Sequence, residues 1–172
     1  WPDGGQVGWL SGATGWRAVS LLPDTRPAWT VDAADLNGDG HQDLVVGRPS
    51  VSGPNGSTLE IYLGDSQGQF TSLPNALNSS IAGVREVAVG DINGDGQEDV
   101  VGAFSGGSGT GGGLWAWVQS PAGGASYEPA LAVDSATALF RGLSLADLDG
   151  DQDLDVVGVA ANLNLVACYE NY

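Results

Sequence analysis

An acidic nine-residue segment occurs three times in this 172-residue sequence, at positions 35–43, 91–99 and 147–155. The first copy reads Asp-Leu-Asn-Gly-Asp-Gly-His-Gln-Asp, and the other two copies differ from it at only a few positions. The copies begin at residues 35, 91 and 147, which is a step of 56 residues each time. A constant period of this size is the signature of a protein built from repeated structural units. The chain is therefore expected to fold as a series of similar units.

The spacing of oxygen-bearing side chains within each segment is typical of a calcium loop. Ca²⁺ takes about six to eight oxygen ligands, and a short loop can supply them from alternate positions 1, 3, 5, 7 and 9. Positions 1, 3, 5 and 9 hold Asp or Asn in all three copies, whereas position 7 varies, as expected if it gives only its backbone carbonyl. Glycine at position 6 permits the sharp turn in the first two copies, and Gln152 replaces it in the third. We therefore expect up to three Ca²⁺ ions per chain, with the third site the weakest.

The segments are not EF-hands. An EF-hand has a glutamate at position 12, but Val46, Gly102 and Gly158 stand there. Short apolar runs typical of strands flank the segments where an EF-hand has helices. The other interpretation, that these are acidic turns holding no metal, stays open at this point.

Each 56-residue unit resolves into four short strand patterns. A first strand with alternating apolar residues precedes the acidic loop, and a second, rich in Val, follows it. A third apolar strand comes next, and an aromatic residue, Phe70 or Tyr127, opens the fourth. Residues 6–10 and 16–19 carry the third and fourth patterns of a preceding, partial unit. The predicted first, second and third strands are 29–34, 44–47 and 59–63, then 85–90, 100–102 and 114–118, then 141–146, 156–158 and 165–169.

Four-stranded units repeated around an axis make a β-propeller, which typically has about four to eight blades. The sequence of residues 87–104, Val-Ala-Val-Gly-Asp-Ile-Asn-Gly-Asp-Gly-Gln-Glu-Asp-Val-Val-Gly-Ala-Phe, resembles an FG-GAP/VCBS repeat, the unit of the integrin-α type of calcium-binding β-propeller. Val46-Gly47-Arg48-Pro49 and Tyr169-Glu170-Asn171 are similar to two further segments of that family. The departures are Gln152 and Cys168, which stands where many members have Trp. The resemblance implies an all-β fold, with residues 1–172 forming one β-propeller segment of about three four-stranded blades.

The resemblance also implies where the metal is held. In this family the loops between the first and second strands of each blade bind structural Ca²⁺ through the side chains at positions 1, 3, 5 and 9 and the carbonyl at position 7. The corresponding residues here are Asp35, Asn37, Asp39, His41, Asp43, Asp91, Asn93, Asp95, Gln97, Asp99, Asp147, Asp149, Asp151, Asp153 and Asp155.

Composition limits the classes of partner. The chain has no lysine and five arginines, and its net charge is −16. This charge argues against binding to nucleic acid or to an anionic membrane surface, where basic patches supply the affinity. No apolar run reaches the roughly 20 residues that span a bilayer, so membrane insertion is not expected. Cys168 is the single cysteine, so a disulfide framework within the chain is excluded.

We expect a secreted or cell-surface location, because weak calcium loops are filled only at the millimolar calcium found outside the cytosol. The chain starts at Trp1 without a methionine, and we interpret it as a mature or excised segment.

Three functions remain in consideration. The first is a non-enzymatic extracellular module for recognition or adhesion, with a carbohydrate or protein ligand. The second is a structural subunit of an extracellular assembly or filament, completed by other copies of itself or by the rest of a longer propeller. The third is a part, catalytic or not, of a polysaccharide-acting enzyme. The single histidine, His41, lies in an acidic loop, and no Ser/His/Asp or Cys/His set can be assembled, so catalysis is not predicted.

Several residues are candidates for contacting a ligand. Arg85 and Arg141 are 56 residues apart at the start of the first strand, and Trp29 holds that place in the first unit. Such arginines would either line an anion site at the channel mouth or, as is commoner, pair with carboxylates. Arg48 and aromatic residues in loops are further candidates. Among the tryptophans, we expect packing roles for Trp9, Trp16 and Trp117 and freer positions for Trp1, Trp29 and Trp115.

Overall fold

A computed structural model describes residues 8–11, 17–22, 26–49, 58–77, 81, 83–106, 112–135 and 138–171, with the backbone alone for 8–11, 17–20 and 58. The regular elements of this part of the chain are all β-strands. No helix in it is long and apolar enough to cross a membrane.

The described strands form four antiparallel sheets, each built from strands that are consecutive in sequence. A leading hairpin consists of β1 (Gly8–Ser11) and β2 (Arg17–Ser20). The first sheet consists of β3 (Thr30–Ala34), β4 (Asp43–Arg48), β5 (Thr58–Gly64) and β6 (Phe70–Leu73). The second sheet consists of β7 (Val84–Gly90), β8 (Asp99–Phe104), β9 (Gly113–Trp117) and β10 (Leu131–Asp134). The third sheet consists of β11 (Phe140–Ala146), β12 (Asp155–Ala160) and β13 (Leu165–Tyr169).

This architecture confirms the all-β fold predicted from the repeat, with each acidic loop joining the first and second strands of a sheet. The first three strands of every unit lie where the sequence placed them, and Phe70 opens β6 as predicted. The fourth strand of the second unit was predicted wrongly. Tyr127 forms only an isolated bridge with Gln119, and β10 begins at Leu131. Pro129 lies between them and cannot donate a ladder hydrogen bond, so the strand starts only after it.

The Ser/Gly-rich stretch after β8 connects two neighbouring strands of one sheet. Phe104 at the end of β8 pairs directly with Gly113 at the start of β9. The described residues on either side of this stretch therefore belong to the same sheet. This pairing agrees with a connection between strands and excludes a linker between domains.

The second sheet lies between the other two, because its first strand β7 contacts both β3 and β11. The core between the first and second sheets contains the fully buried Val45, Ile61, Val100, Phe104 and Trp117. A second core fills the space between the second and third sheets, where Val101, Leu114 and Phe140 are fully buried.

The second strands of the first two sheets are buried at every residue, as their continuous Val-rich runs predict. The second strand of the third sheet, β12, differs, because Val159 is 42% exposed. The difference comes from position: the second sheet covers one face of the third sheet, and the described residues leave the other face open.

Hydrogen bonds reinforce the contact between the first and second sheets. The N–H of Val87 donates to Oγ1 of Thr30 at 3.2 Å, and the N–H of Val89 donates to Oδ2 of Asp32 at 2.9 Å. Polar side chains of β3 thus bind backbone groups of β7. These bonds fix the position of one first strand against the next.

Candidate metal centre

The three acidic loops follow the same backbone course. Position 4 is glycine with φ of 76°, 72° and 86° in the successive loops, and φ at position 6 is 85°, 82° and 83°. Position 6 is Gly40, Gly96 and then Gln152. A glutamine therefore takes the left-handed conformation that glycine adopts freely, at a cost of about 1–2 kcal/mol. The third loop keeps the geometry of the other two despite this substitution.

Within each loop, oxygens at three alternate positions accept hydrogen bonds from the N–H groups of the same turn. The position-1 carboxylate accepts from the N–H of position 6, with N···O distances of 2.7, 2.8 and 3.1 Å in the three loops. The position-3 side-chain oxygen accepts from the N–H of position 5 at 2.9, 3.0 and 3.1 Å. The position-5 carboxylate accepts from the N–H of position 7 at 2.8, 2.9 and 3.0 Å. The predicted ligand side chains at positions 1, 3 and 5 are thus brought together around one turn in every copy.

The donor set fits a hard cation. In the third loop, one carboxylate oxygen from each of Asp147, Asp149 and Asp151 lies within 4.8 Å of the others. Because Ca²⁺–oxygen distances are about 2.3–2.6 Å, one ion can contact oxygens separated by this much. In the first loop, the N–H of His41 and then the side chain of Asn37 lower the pKa of Asp39, which favours the charged form that binds metal. The oxygen-only donor set matches the calcium chemistry expected from the sequence.

The aspartates at position 9 have a structural role that the sequence did not reveal. Asp43, Asp99 and Asp155 are 0%, 0% and 1% exposed. One carboxylate oxygen accepts from the N–H of loop position 2, with N···O distances of 3.0, 3.1 and 3.0 Å. The other oxygen accepts from an N–H at the end of the third strand or just after it, with N···O distances of 2.7, 2.7 and 3.0 Å; the donors are Gly64, Gln119 and Asn171. Each of these aspartates therefore fastens its loop to the third strand of its own sheet.

This bracing role changes the interpretation of the position-9 residues. Burial raises the pKa of Asp43 and of Asp99, and the two N–H donors of each carboxylate oppose that rise. Asp155 lies outside the close group formed by the carboxylates at positions 1, 3 and 5 of its loop. Each carboxylate oxygen keeps a lone pair after accepting one hydrogen bond and could still bind a metal ion. Metal ligation by position 9 therefore stays a prediction. The sequence carried no signal that distinguishes this role, because positions 1, 5 and 9 are all Asp in every copy.

Arg48 is not available as a ligand contact, contrary to expectation. It is 3% exposed, its Nε donates to Oε2 of Glu60 at 2.8 Å, and its NH2 group donates to the hydroxyl of Tyr62 at 3.0 Å. Arg26 pairs with the other oxygen of Glu60 at 2.6 Å. Burial alone would raise the pKa of Glu60, but hydrogen bonds from Arg26, Tyr62 and Arg48 lower it below its ordinary value. Arg48 is thus a buried part of an ion-pair network on the first sheet.

The described tryptophans divide differently from the prediction. Trp117 is 1% exposed in the core between the first and second sheets, as predicted. Trp115 was expected to be free, but it packs against the same core and its Nε1 is buried with no hydrogen-bond acceptor among the described residues. The pairing of β9 with β8 places both rings on one face of the second sheet. Trp29 is 51% exposed and remains a candidate for contacting a ligand. Trp1, Trp16 and the side chain of Trp9 lie outside the described residues.

The arginines at the start of the first strands do not pair with carboxylates in the described part of the chain. The guanidinium of Arg85 lies 4.5 Å from the ring centroid of Trp29, and its Nε donates to Oγ of Ser105 at 2.9 Å. Arg141 occupies the equivalent place in the third sheet and is exposed. The interaction found for Arg85 is therefore a cation–π contact between neighbouring sheets.

The strand register corrects the assignment of Cys168. Tyr169 pairs with Val156 as Trp117 pairs with Val100, whereas Cys168 pairs with Val157. The aromatic position of the third unit is therefore filled by Tyr169. The side chain of Cys168 belongs to the opposite, exposed face of the third sheet.

Comparison with known families agrees with this geometry. Residues 27–60 match the model of the FG-GAP repeat, and residues 47–102 match that of an FG-GAP-like repeat. The chain belongs to the FG-GAP repeat family. Repeats of the integrin type in this family typically bind divalent cations, which agrees with the oxygen donors of the loops.

Relatives of this FG-GAP chain include two kinds of protein. Phosphatidylinositol-glycan-specific phospholipase D of Rattus norvegicus is 35% identical over 161 residues, which covers 79% of the chain and 18% of that protein. The Homo sapiens protein of the same name is 34% identical over 166 residues, covering 79% of the chain and 19% of that protein. Integrin alpha-6 of Gallus gallus is 36% identical over 137 residues, covering 74% of the chain and 12% of that protein. The FG-GAP chain thus spans less than a fifth of the length of these relatives.

Proposed function

We propose that this chain is a calcium-stabilised FG-GAP β-propeller module for extracellular recognition or adhesion, with no catalytic activity of its own. The observation that carries the proposal is the set of hydrogen bonds to the oxygens at positions 1, 3 and 5 that three successive loops share. Its similarity to integrin alpha-6 supports an adhesive role. Millimolar extracellular calcium suits loops of this kind, so a secreted or cell-surface location belongs to the same proposal.

The metal has a structural task in this proposal. Ca²⁺ supplies positive charge that neutralises several carboxylates held close together. Positions 1, 3 and 5 of each loop would bind it, together with the carbonyl of position 7. Up to three ions would bind, and they would reduce the formal net charge from −16 to −10. The third site is the weakest, because Gln152 makes its turn costlier to form.

Recognition is assigned to the opposite ends of the first strands. Trp29, Arg85 and Arg141 occupy equivalent places there, and we call them the strand-start surface. The first strand β7 has 7 residues, so this surface lies about 20 Å from the loops. An exposed indole ring stacks well on a sugar, and guanidinium groups bind carboxylate or sulfate. The ligand class that fits is an acidic carbohydrate or an acidic segment of an extracellular protein.

Binding measurements can test the recognition proposal directly. The purified chain would be applied to glycan arrays and immobilised matrix proteins, in calcium and in EDTA. Trp29→Ala and Arg141→Ala should weaken binding about tenfold or more while leaving calcium stoichiometry unchanged, because loss of one stacked or charge-assisted contact costs roughly 1–3 kcal/mol. Thr71→Ala, at an exposed position on β6, is the matched control. Absence of binding to any glycan or matrix protein in calcium would count against recognition.

A second candidate function is a structural subunit of an extracellular assembly or of a longer propeller. One observation favours it. The third sheet has three strands where the other two have four, so β13 presents an edge with no partner strand among the described residues. Unpaired strand edges readily bind another strand. The similarity to phosphatidylinositol-glycan-specific phospholipase D supports a third alternative, in which the chain is part of a larger enzyme. Assays of hydrolysis by the isolated chain would test whether it has catalytic activity of its own.

A further inference from the structure

The two arginines of the strand-start surface lie in β-bulges. The pairing of β7 with β8 passes over Arg85, because Val84 and Glu86 pair with consecutive residues of β8. The pairing of β11 with β12 passes over Arg141 in the same way. A bulge leaves one residue out of the ladder and redirects its side chain, and bulges are frequent beside binding sites. The repeat therefore places a redirected arginine at the same point of two neighbouring sheets.

The guanidinium of Arg85 is held on two sides. Its Cζ lies 4.5 Å from the ring centroid of Trp29, which directly precedes β3 of the neighbouring sheet. Its Nε donates to Oγ of Ser105 at 2.9 Å, and that hydroxyl donates to the carbonyl of Gly83 at 3.2 Å. A Cβ at Gly83 would lie 2.8 Å from the hydroxyl oxygen, so the close approach of Ser105 requires glycine there. These contacts fix the orientation of Arg85 from within the protein.

The terminal nitrogens of Arg85 provide the donors for a ligand. A guanidinium has five N–H donors, and the bond to Ser105 uses the one on Nε. The four donors on Nη1 and Nη2 have no acceptor among the residues that the structure describes. A carboxylate forms two parallel hydrogen bonds with an edge of a guanidinium, and the edge that includes Nε is already taken. Such a carboxylate must therefore bind end-on, with one oxygen on each terminal nitrogen.

No carboxylate of a described residue pairs with Arg85 or Arg141, although the chain has 21 Asp and Glu side chains and a net charge of −16. All of these side chains except Asp3 and Asp24 belong to residues that the structure describes. The segments 50–57 and 107–111, which come after the ends of β4 and β8 beside this surface, contain no Asp or Glu. Cations that these residues leave unpaired in so acidic a chain indicate an anion supplied by a ligand.

The acidic loops lie at the far ends of the first strands and oppose an anion here only weakly. The strand β7, with 7 residues, separates this surface from the loops by about 20 Å. In physiological salt, exposed charges are largely screened beyond about 8 Å. The charge that a ligand meets at Arg85 is therefore that of its immediate neighbours rather than the net charge of the chain.

The third sheet repeats the arginine but not the groups that hold it. Ala161 stands 56 residues after Ser105 and its N–H makes the equivalent backbone hydrogen bond, so Arg141 lacks the hydroxyl that orients Arg85. The place equivalent to Trp29 is held by Arg85 itself. Arg141 is exposed. It therefore supplies a second positive charge, whereas Arg85 is an oriented receptor.

The groups around Arg85 favour a sugar as the carrier of the anion. Trp29 is 51% exposed although it contacts Arg85, so part of its indole stays open beside the guanidinium. The apolar face of a sugar ring packs well on an indole. Protein–protein contacts instead depend on buried apolar and aromatic anchors. The segments 50–57 and 107–111 contain no aromatic residue, and Val51 is their one branched aliphatic residue.

We propose that Arg85 is the receptor for the carboxylate of an acidic carbohydrate, a glycan that contains hexuronate sugars, and that Trp29 packs against the ring of the same sugar. Nη1 and Nη2 of Arg85 each donate to one carboxylate oxygen. Ser105 is a positioning residue, which keeps the guanidinium in the orientation for end-on binding. This inference rests on the proposed recognition function and names its ligand class.

Calorimetric titrations of the chain in calcium would test the ligand class. The probes are oligosaccharides of galacturonate, of glucuronate and of mannuronate. The methyl ester of each is the matched control, because esterification removes the charge of the carboxylate and leaves the sugar rings unchanged. Oligoglutamate of equal charge and dextran sulfate represent an acidic protein segment and a sulfated glycan. At least one hexuronate oligosaccharide should bind about tenfold or more tightly than its ester, and more tightly than either comparison anion.

Three variants would test the roles of the residues. Arg85→Lys keeps the positive charge but removes the planar pair of donors, so it should weaken hexuronate binding about tenfold. Ser105→Ala should weaken it about threefold, because the guanidinium loses one of its two supports. Ser105→Thr keeps a hydroxyl and should restore the affinity of the parent chain. Bound calcium should be unchanged in all three. The comparison of acid and ester uses the parent chain alone and does not depend on how a variant folds.

Equal affinity for the acid and its ester, or unchanged hexuronate binding in Arg85→Lys, would overturn the proposal even if the chain binds some other glycan or matrix protein. Tighter binding of oligoglutamate would assign the surface to an acidic protein segment, and tighter binding of dextran sulfate would assign it to a sulfated glycan; either result overturns the proposal too. Absence of binding to any glycan or matrix protein is a different result, because it would refute the recognition function itself and this inference with it.

Discussion

The backbone N–H of Gln119 donates a 2.7 Å hydrogen bond to Oδ1 of Asp99, a carboxylate that is 0% exposed. The other oxygen of Asp99 accepts from the N–H of Ile92 at 3.1 Å. The last residue of the acidic loop therefore holds together the start of the loop and the end of the third strand. Equivalent bonds in the other two sheets make this a constant feature of the repeat.

The first prediction concerns this brace. Asp99→Ala should lower the free energy of unfolding by about 2–4 kcal/mol even in excess EDTA, because two N–H groups lose a charged acceptor. Asp95→Ala, at an exposed loop position, is the matched control and should cost little under the same conditions. Urea denaturation followed by circular dichroism would measure both. If Asp99→Ala and Asp95→Ala lowered the free energy of unfolding equally in EDTA, Asp99 would have no structural role beyond metal binding.

The second prediction concerns calcium itself. With each ion at about ten times its dissociation constant, binding should add roughly 1.4 kcal/mol of stability per site. EDTA should therefore lower the melting temperature clearly, and Asp95→Ala should reduce the bound calcium by about one ion per chain. Elemental analysis together with a melting curve would check this. An unchanged melting curve in EDTA, with no calcium found, would contradict the metal assignment.

The third prediction concerns Gln152. Gln152→Gly should raise the free energy of unfolding by up to about 1 kcal/mol, because glycine takes a positive φ without strain. Gly96→Ala is the reciprocal control, since a Cβ at Gly96 would meet no atom within 4 Å and only its φ of 82° opposes the change. We expect that variant to lose about 1 kcal/mol. If Gln152→Gly weakens calcium binding to the third loop, the strain argument is wrong.

The fourth prediction concerns the pH dependence contributed by Glu60. Its pKa in the folded protein is below the ordinary value of 4.5, because Arg26, Tyr62 and Arg48 outweigh the effect of burial. The stabilising contribution is therefore fully present above about pH 4.5 and is lost as the pH falls through the folded-state pKa. Glu60→Gln should lower stability near neutral pH, and its stability should approach that of the parent protein as the pH falls through the folded-state pKa of Glu60. A difference between the two proteins that stays constant from pH 7 to pH 3 would exclude this linkage.

The sequence was sufficient for the loops and for most of the strands, but not for the environments of the side chains. The 56-residue step aligned the three loops and predicted the strands around them, because turn residues and Val-rich runs act locally. Tyr127 misled the prediction of a strand start, since Pro129 delays the ladder that an aromatic residue alone would favour. The strand propensity of a short segment does not show that a nearby proline moves the start of the strand further along the chain.

The errors at Arg48 and Trp115 have another cause. Arg48 was expected to contact a ligand and Trp115 to be free because of their residue types, whereas their exposure depends on which sheet face they occupy and what covers it. Arg48 is buried with Glu60 and Tyr62 on the first sheet, and Trp115 packs into the core between the first two sheets. These facts follow from strand register and from packing between units that are distant in sequence, and no local pattern encodes them.

Gln119 makes two neighbouring loops interdependent. Its side-chain amide Nε2 donates to the carbonyl of Leu36 in the first loop, while its backbone N–H donates to the carboxylate of Asp99 at the end of the second loop. When calcium orders one loop, the neighbouring loop loses less conformational entropy on becoming ordered. The two calcium sites are then thermodynamically coupled. Calcium should then bind to the chain cooperatively, with a titration steeper than that of independent sites, and Gln119→Ala should make the first two loops respond separately.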